Sequence, residues 1–476
     1  MQLILKVLVL MPFSLCIFDA RAASERQWLA GDHHIHSQNS VGWDDSSPPQ
    51  PVFGGDAIYP IATNAKMAQG FGLDWMVATD HGGPNHSKIN LEVAYPELQA
   101  ARRAVPEVIQ FAGLELNTPG ADHSSIIIAH SDQESADLHA YESKFDAREV
   151  WPVDPARAAE SNMLAAVRFA NRLTHQPVII AHHPARSAPD LGVYGLTSPD
   201  ELRAWNNAAP QIAVGMEGAP GHQAAELRRQ AGEDQYPAWV YARGAYGKGF
   251  PTLGGFDQMT AHVGGFWDAM LGEGRQWWIT ANSDSHRHYT EGGIDFWPGE
   301  YSKTYVYAHK QHDDILNGIR KGRMFVTTGD LIDELSITVQ QRQTTARMGG
   351  TLRVDHKAPV TIEIRFHDPE TPNAAGKVPT VARVDLIQGS VLTDPSTTAQ
   401  NRNPTTKVIQ RFYPKDWQRD GADWVMTYVS AQETPSYFRV RGTNTEQLEP
   451  EPDPLGEDPW QDLWFYSNPV FVAVQP

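Results

Sequence analysis

Histidines and carboxylates recur in this chain wherever a short apolar run ends. His34 and His36 close the run in Gly31-Asp32-His33-His34-Ile35-His36-Ser37. Asp80-His81, Glu115, His123, His182-His183 and Asp284-Ser285-His286 follow later runs. Two histidines one residue apart on a strand project to the same side, because side-chain direction repeats every second residue. Two imidazoles on one face can grip a single divalent metal. A lone histidine is more often a packed or hydrogen-bonded residue than a ligand, so the joint arrangement carries the reading. The candidate metal ligands are His34, His36, His81, Glu115, His123, His183, Asp284 and His286. Such nitrogen and oxygen donors suit zinc, manganese or iron.

The elements that would position these groups alternate. Strand-like runs span 27–30, 75–78, 108–114, 125–129, 178–181, 212–216 and 277–280. Helix-like runs span 57–69, 91–104, 156–173, 199–206, 224–231 and 312–321. Asp154-Pro155 and Ser198-Pro199 read as helix starts. The alternation predicts parallel strands with crossover helices. An open doubly wound sheet would fit it too, but ligands spread over six strand ends favour a closed barrel whose ends face one centre. Beyond Thr327-Thr328-Gly329-Asp330 the helical periodicity fades. Strand-like runs at 335–339, 360–366, 381–386, 424–429, 437–440 and 470–474 predict a C-terminal β-sandwich. Residues 443–462, acidic and proline-rich, read as a long surface loop. The expected fold is therefore α/β: a barrel over 24–330 followed by an all-β domain over 331–476.

Net charge and cysteine use narrow the partners. The formal charge is -18 over 476 residues. That argues against a nucleic acid held along a broad basic surface, while a small anionic substrate stays compatible with a metal cluster. The apolar stretch 3–18 with Lys6, followed by Ala20-Arg21-Ala22, reads as a secretory signal over residues 1–23, cleaved after Ala22 or Ala23. It is too short for a stable membrane anchor. Cys16, the single cysteine, lies inside that signal. The expected mature chain has neither disulfide nor thiolate ligand, in keeping with a secreted or periplasmic protein.

The motifs GDHHIHS (31–37), VATDHG (77–82), AGLELN (112–117), IIAHHP (179–184) and NSDSH (282–286), in this order, resemble the polymerase and histidinol phosphatase (PHP) superfamily. The likeness covers about residues 28–330. It is greatest to the carbaryl-hydrolase-like branch, in which the barrel is often followed by a β domain, and Ser467-Asn468-Pro469-Val470 also resembles that branch. The resemblance implies a distorted seven-stranded barrel holding two or three divalent ions. It implies that His34, His36 and Asp284 hold one ion and that Glu115 bridges to a second held by His123 and His183. His81 and His286 would hold a third. The family ligand precedes proline, which favours His183 over His182. His182 and His33 would then be packed or hydrogen-bonded on the other face. The family also places an Asp or His soon after the HxH pair; Val41 stands at that position here, leaving Asp44 or Asp45 to reach in. Asp80 fits an acceptor that orients an imidazole, with direct ligation as the alternative, and Glu217 either a pocket wall or a salt bridge at the barrel rim.

Catalytic roles are expected for Asp284, which or a neighbouring histidine would handle a proton, and for Arg186, matching phosphoryl or carboxylate oxygens bidentately. Arg243, Lys248 and Lys303 are weaker candidates, each with a solvated surface charge as the plainer reading. Segment 241–267, rich in glycine and aromatics, reads as a lid or pocket wall, with an irregular loop packed on the barrel as the plainer reading. Ser283 and Ser285 read as turn-stabilising residues. The leading expectation is a secreted metal-dependent phosphoesterase whose hydroxide, shared between cations, attacks a small phosphate ester. A carboxyl-ester, carbamate or amide hydrolase on the same residues is the alternative, and a non-catalytic secreted binding protein the second.

Overall fold

The computed structural model describes residues 25–228, 252–392, 401–453 and 457–475. The expected signal segment, Arg243 and Lys248 lie outside them. In the first part of the chain the strands are β1 (Gln27–Asp32), β2 (Val41–Trp43), β3 (Pro51–Phe53), β4 (Trp75–Ala78), β5 (Ile109–Asn117), β6 (His123–Ile127), β7 (Val178–Ala181), β8 (Ala213–Pro220), β9 (Trp278–Asn282), β10 (Ser302–Ala308) and β11 (Met324–Thr328). All seven expected strand runs are strands. Five of the six expected helices appear at 61–70, 160–170, 199–208, 221–228 and 312–320, and the sixth is a helical stretch from His86 to Ala104. Ser198 caps its helix as a capping box: its hydroxyl accepts from Glu201 N at 3.2 Å, and Glu201 accepts from Ser198 N at 2.8 Å. The shorter Asp154 start caps only one turn, Pro155–Ala158.

β1, β4 and β5 run parallel, as do β7, β8 and β9. β6 departs from the expected all-parallel order and is antiparallel to both β5 and β7. The cause is local: Thr118-Pro119-Gly120 makes a tight turn, with Gly120 at φ 85°, where glycine alone is unstrained. The reversal has a consequence for the site, because the start of β6 then lies at the same end of the sheet as the finish of its parallel neighbours.

The two ends of this seven-strand run meet. Ile35, just past β1, bridges in parallel to Ser285, just past β9, and His36 N donates to Ser285 O at 3.0 Å. The buried Asp32 carboxylate joins the same ends, accepting from His34 N and Ser283 N, each at 3.0 Å. Gly31 makes room for this arrangement. A Cβ there would lie 1.9 Å from the indole of Trp75, its register partner on β4.

The remaining strands are β12 (Glu334–Gln341), β13 (Thr344–Arg347), β14 (Thr351–Asp355), β15 (Pro359–His367), β16 (Arg383–Ser390), β17 (Lys407–Phe412), β18 (Gln418–Asp420), β19 (Asp423–Ala431), β20 (Ser436–Thr443), β21 (Trp464–Ser467) and β22 (Val470–Gln475). One sheet has the order β13-β12-β15-β19-β18. The others extend the large central sheet through β10, β11 and β21. Alternating residues of both sheets, such as Leu335, Ile337, Ile362 and Ile364 facing Val384, Leu386, Phe438 and Val440, share one apolar core. The fold is thus mixed α/β, with a large central sheet and an additional β layer.

Two expectations fail here. Residues 443–462 are not simply a surface loop. Asp453 is buried and accepts from Thr252 Oγ1, Gly254 N and Gly255 N at 2.6, 2.7 and 3.0 Å, fastening the loop to the first part of the chain. Within 252–267, Phe256, Phe266 and Trp267 belong to the core, as the packed-loop reading has it and not as a lid would; residues 241–251 lie outside the described residues. Trp267 lies under the guanidinium of Arg439, which pairs with Asp268 at 2.6 Å, both side chains fully buried.

Candidate metal centre

The HxH pair works as its spacing predicts. His34 Nε2 and His36 Nε2 lie 3.0 Å apart. Asp284 Oδ1 is 3.1 Å from each. Glu115 Oε1 is 3.2 Å from His34 Nε2, and its Oε2 is 3.3 Å from His36 Nε2. The opposite nitrogens are engaged elsewhere. His34 Nδ1 meets Glu217 Oε1 at 2.8 Å. His36 Nδ1 lies 3.0 Å from Ser40 Oγ, whose hydroxyl donates to Asp56 at 3.0 Å. With protons on both Nδ1 atoms, two Nε2 lone pairs face each other beside two carboxylates. Lone pairs and carboxylates packed this closely repel unless positive charge, a cation or protons on the rings, sits among them. Two nitrogens and three oxygens lie 3.0–3.3 Å apart across these contacts, close enough to share one cation. The donor set therefore fits a divalent metal.

Glu115, inside β5 rather than at its end, is the hub. Its Oε1 lies 3.0 Å from His123 Nδ1, 2.9 Å from His182 Nδ1 and 3.2 Å from His183 Nε2. Its Oε2 is 3.7 Å from His81 Nε2. His182 thus faces the cluster, contrary to the expectation that it points away. Its ring stacks on His34 with centroids 3.6 Å apart, and its buried Nε2 has no hydrogen-bond partner. His183 stands at φ 24° and Asp284 at φ 52°. Such a conformation costs about 1–3 kcal/mol in a bulky residue and collects at functional sites. Glu217 helps hold it, accepting from His183 N at 2.5 Å. His33, as expected, is hydrogen-bonded beneath the cluster, 2.8 Å from Thr280 Oγ1.

Electrostatics agree with cation binding. Burial opposes ionisation of Glu115, yet His123, His34 and His81 hold its carboxyl well below the usual range. The same contest holds Asp284 low through His34, His36 and His286. Glu217 is brought to about 2 by His182 and His34 against burial. Burial keeps His81 neutral, at about 3. Against burial, Asp284, Glu115 and Glu217 push His34 up, and Asp56, Asp295 and Asp284 push His286 up; the carboxylates thus draw positive charge into the cluster, either as protons on these rings or as a metal that displaces them.

Several groups were not legible in advance. Asp56, rather than Asp44 or Asp45, takes the place after the HxH pair, 3.3 Å from His286 Nε2 and 3.5 Å from His36 Nδ1. Asp44 is exposed and caps its own loop, accepting from Gln50 N at 2.7 Å. The hairpin β2–β3 intervenes and pushes the aspartate fifteen residues beyond the expected Val41 position. Asp295 accepts from His286 N and Arg287 N at 2.9 and 3.0 Å and pairs with His222, whose ring is 5.6 Å from that of His286. His222 does follow a strand end, β8, so the signal that found the other histidines was present. Glu217 is fully buried under His34 and is no rim salt bridge.

Three other readings change. Asp80 accepts from Ser37 N at 2.5 Å and Ser37 Oγ at 2.9 Å, holding the HxH loop rather than an imidazole. Lys303 is neither an anion clamp nor a solvated charge but is buried, 2.6 Å from Asp330. Arg186 sits beside the cluster, with Nη2 3.1 Å from His123 Nδ1, and is held by Asp122 at 2.5 and 3.2 Å. Ser283 N is tied to Asp32 as a turn residue should be, while the buried Ser285 hydroxyl has no hydrogen-bond partner.

No family model and no curated protein sequence matches the chain. Among solved structures it is similar to a two-domain protein containing a predicted PHP-like metal-dependent phosphoesterase from Bacteroides vulgatus ATCC 8482, at 13% identity over 90% of this chain and 93% of that one, TM-score 0.39. It is also similar to the lesion-specific endonuclease PfuEndoQ from Pyrococcus furiosus, at 14% identity over 62% of this chain and 56% of that one, TM-score 0.33. A third is endonuclease Q in complex with a 27-mer duplex bearing an abasic lesion, at 13% identity over 62% and 56%, TM-score 0.30. The likenesses are loose.

Proposed function

We propose that this chain is a PHP-type metal-dependent phosphoesterase, exported from the cytoplasm and acting on small phosphate esters, with β1 and β4–β9 as its distorted seven-stranded barrel. The observation that carries the reading is the convergence of His34, His36, Glu115 and Asp284, with the second nitrogen of each histidine already engaged. His34, His36, Asp284 and Glu115 would hold one ion; His123 and His183, with Glu115 shared and His182 alongside, a second; His81, His286 and Asp56 a third. Divalent ions there would polarise phosphoryl oxygens and lower the pKa of water.

The chain's own residues do the rest. Glu217 and Ser40 set the tautomers of the HxH pair. Asp284, ionised and buried, accepts a proton beside the reacting group. Arg186, half exposed and aimed by Asp122, meets the phosphoryl oxygens at the rim. The charge of -18 supports a small substrate over a nucleic acid. Turnover of matched aryl phosphomonoesters, phosphodiesters, carboxyl esters and carbamates tests the reading. Phosphoester turnover is expected; carbamate or carboxyl-ester turnover alone would replace the phosphoesterase with the alternative hydrolase.

A further inference from the structure

Behind His81 runs a buried chain of hydrogen bonds that ends on its ring. His81 Nδ1 lies 3.1 Å from the Gly82 carbonyl oxygen. With that oxygen as acceptor, the proton is on Nδ1 and the lone pair on Nε2, the atom that faces Glu115. The same oxygen accepts from Asn117 Nδ2 at 2.9 Å. Asn117 is gripped in turn by Asp146: its Nδ2 lies 3.1 and 3.2 Å from the two carboxylate oxygens, and its backbone N donates to Oδ2 at 2.9 Å. Asp146 also accepts from Arg148 N at 2.8 Å. Asn117 and Asp146 are both buried. Gly82 is wedged against them, since a Cβ on it would come within 2.2 Å of Asp146 Oδ2.

We infer that Asn117 and Asp146 are positioning residues for His81. They pin the Gly82 carbonyl and so fix the tautomer and aim of the imidazole. This rests on His81 being a metal ligand, as proposed above. A carbonyl held in place in this way limits the rotation of the imidazole and keeps its proton on Nδ1. Loss of a group bonded directly to a ligand typically costs 10–100-fold in metal affinity, and the low end of that range is expected for groups that act through the carbonyl. A role confined to closing the turn after β5 would touch all metal steps equally or none.

The test is a zinc titration of the apoprotein against a chromophoric chelator, for the full chain and for His81→Ala, Asp146→Asn, Asn117→Ala and the double variant His81→Ala/Asp146→Asn. Asn117→Ala leaves Asp146 both backbone partners, so it keeps the test open if Asp146→Asn misfolds. Both single positioning variants should weaken, by about 10-fold, the one binding step that His81→Ala removes. The double variant should bind as His81→Ala alone does, because the effect passes through that ring. Additive loss in the double variant, uniform weakening of every step, no change, or a His81→Ala protein with all steps intact each overturns the inference. Zinc binding of the expected pattern without phosphoester turnover would leave it standing while the proposed function fell.

Discussion

At the residue scale, the site is an exercise in tautomer control. Each HxH imidazole can offer Nε2 only because something accepts at Nδ1: Glu217 for His34, and Ser40 for His36. Glu217→Gln tests this directly. The amide keeps the shape but can present its NH2 to His34 and no longer favours a proton on Nδ1. Zinc affinity at the His34 step should fall by about 10–100-fold, read by competition with a chelator, and the apoprotein melting temperature should fall as well, since one buried acceptor is lost. An unchanged affinity would mean that Glu217 merely fills space. Arg186 makes a second residue-scale prediction. As a rim group held by Asp122, its change to Ala should raise KM for phosphoesters about tenfold or more, given about 1.5–3 kcal/mol for a charged hydrogen bond, and leave zinc binding intact. Weakened zinc binding would instead make it a support for His123.

At the element scale, the strand ends must be held in register for the ligands to converge. Gly31 is where this is tightest, since Trp75 crosses the space a side chain would need. Gly31→Ala should destabilise by about 1–3 kcal/mol as an overpacked core position, measured by urea unfolding, and weaken metal binding because His34 lies three residues on. Wild-type stability would show that the β1–β4 contact is slack. This scale also shows what could be read in the residues beforehand. The seven strands and most ligands were legible because apolar runs end in titratable groups, a local signal. The antiparallel β6 was not, although Thr118-Pro119-Gly120 announces a turn, because alternation of strand and helix suggested crossovers throughout. Asp56 was missed because the hairpin 41–53 separates it from the HxH pair, and only tertiary closure brings it back. His182 and His183 are neighbours on opposite faces of an ideal strand. The strained φ of His183 turns both toward Glu115, and no periodicity encodes that.

At the scale of the whole molecule, the β layer is fastened to the first part of the chain by buried polar groups. Arg439 pairs with Asp268, and Asn468 brackets Ile279 on β9, with Oδ1 accepting at 3.0 Å and Nδ2 donating at 3.1 Å. Breaking a buried ion pair costs about 3–5 kcal/mol, so this layer supports the strand that leads to Asp284. The loop carrying Asp453 and Asp462 adds a pH dependence. Burial, and the repulsion of neighbouring carboxylates, push both acids up. Between the ordinary value near 4 and the raised folded values, the folded chain holds more protons than the unfolded one, so this pair's contribution to stability falls as pH rises through that window. Asp462→Asn should therefore raise the melting temperature relative to the parent more at pH 8 than at pH 5. An equal shift at both would show that the pair does not titrate in that way.

The central claim, that the converging histidines and carboxylates hold metal for phosphoester hydrolysis, is tested most directly by one measurement: turnover of an aryl phosphomonoester by apoprotein titrated with manganese or zinc, beside His34→Ala. Activity absent from the apoprotein, rising with added metal to a stoichiometric plateau and abolished in His34→Ala is the expected result. Turnover that persists without metal or in His34→Ala, or a parent chain that binds no metal and turns over no ester, would contradict it.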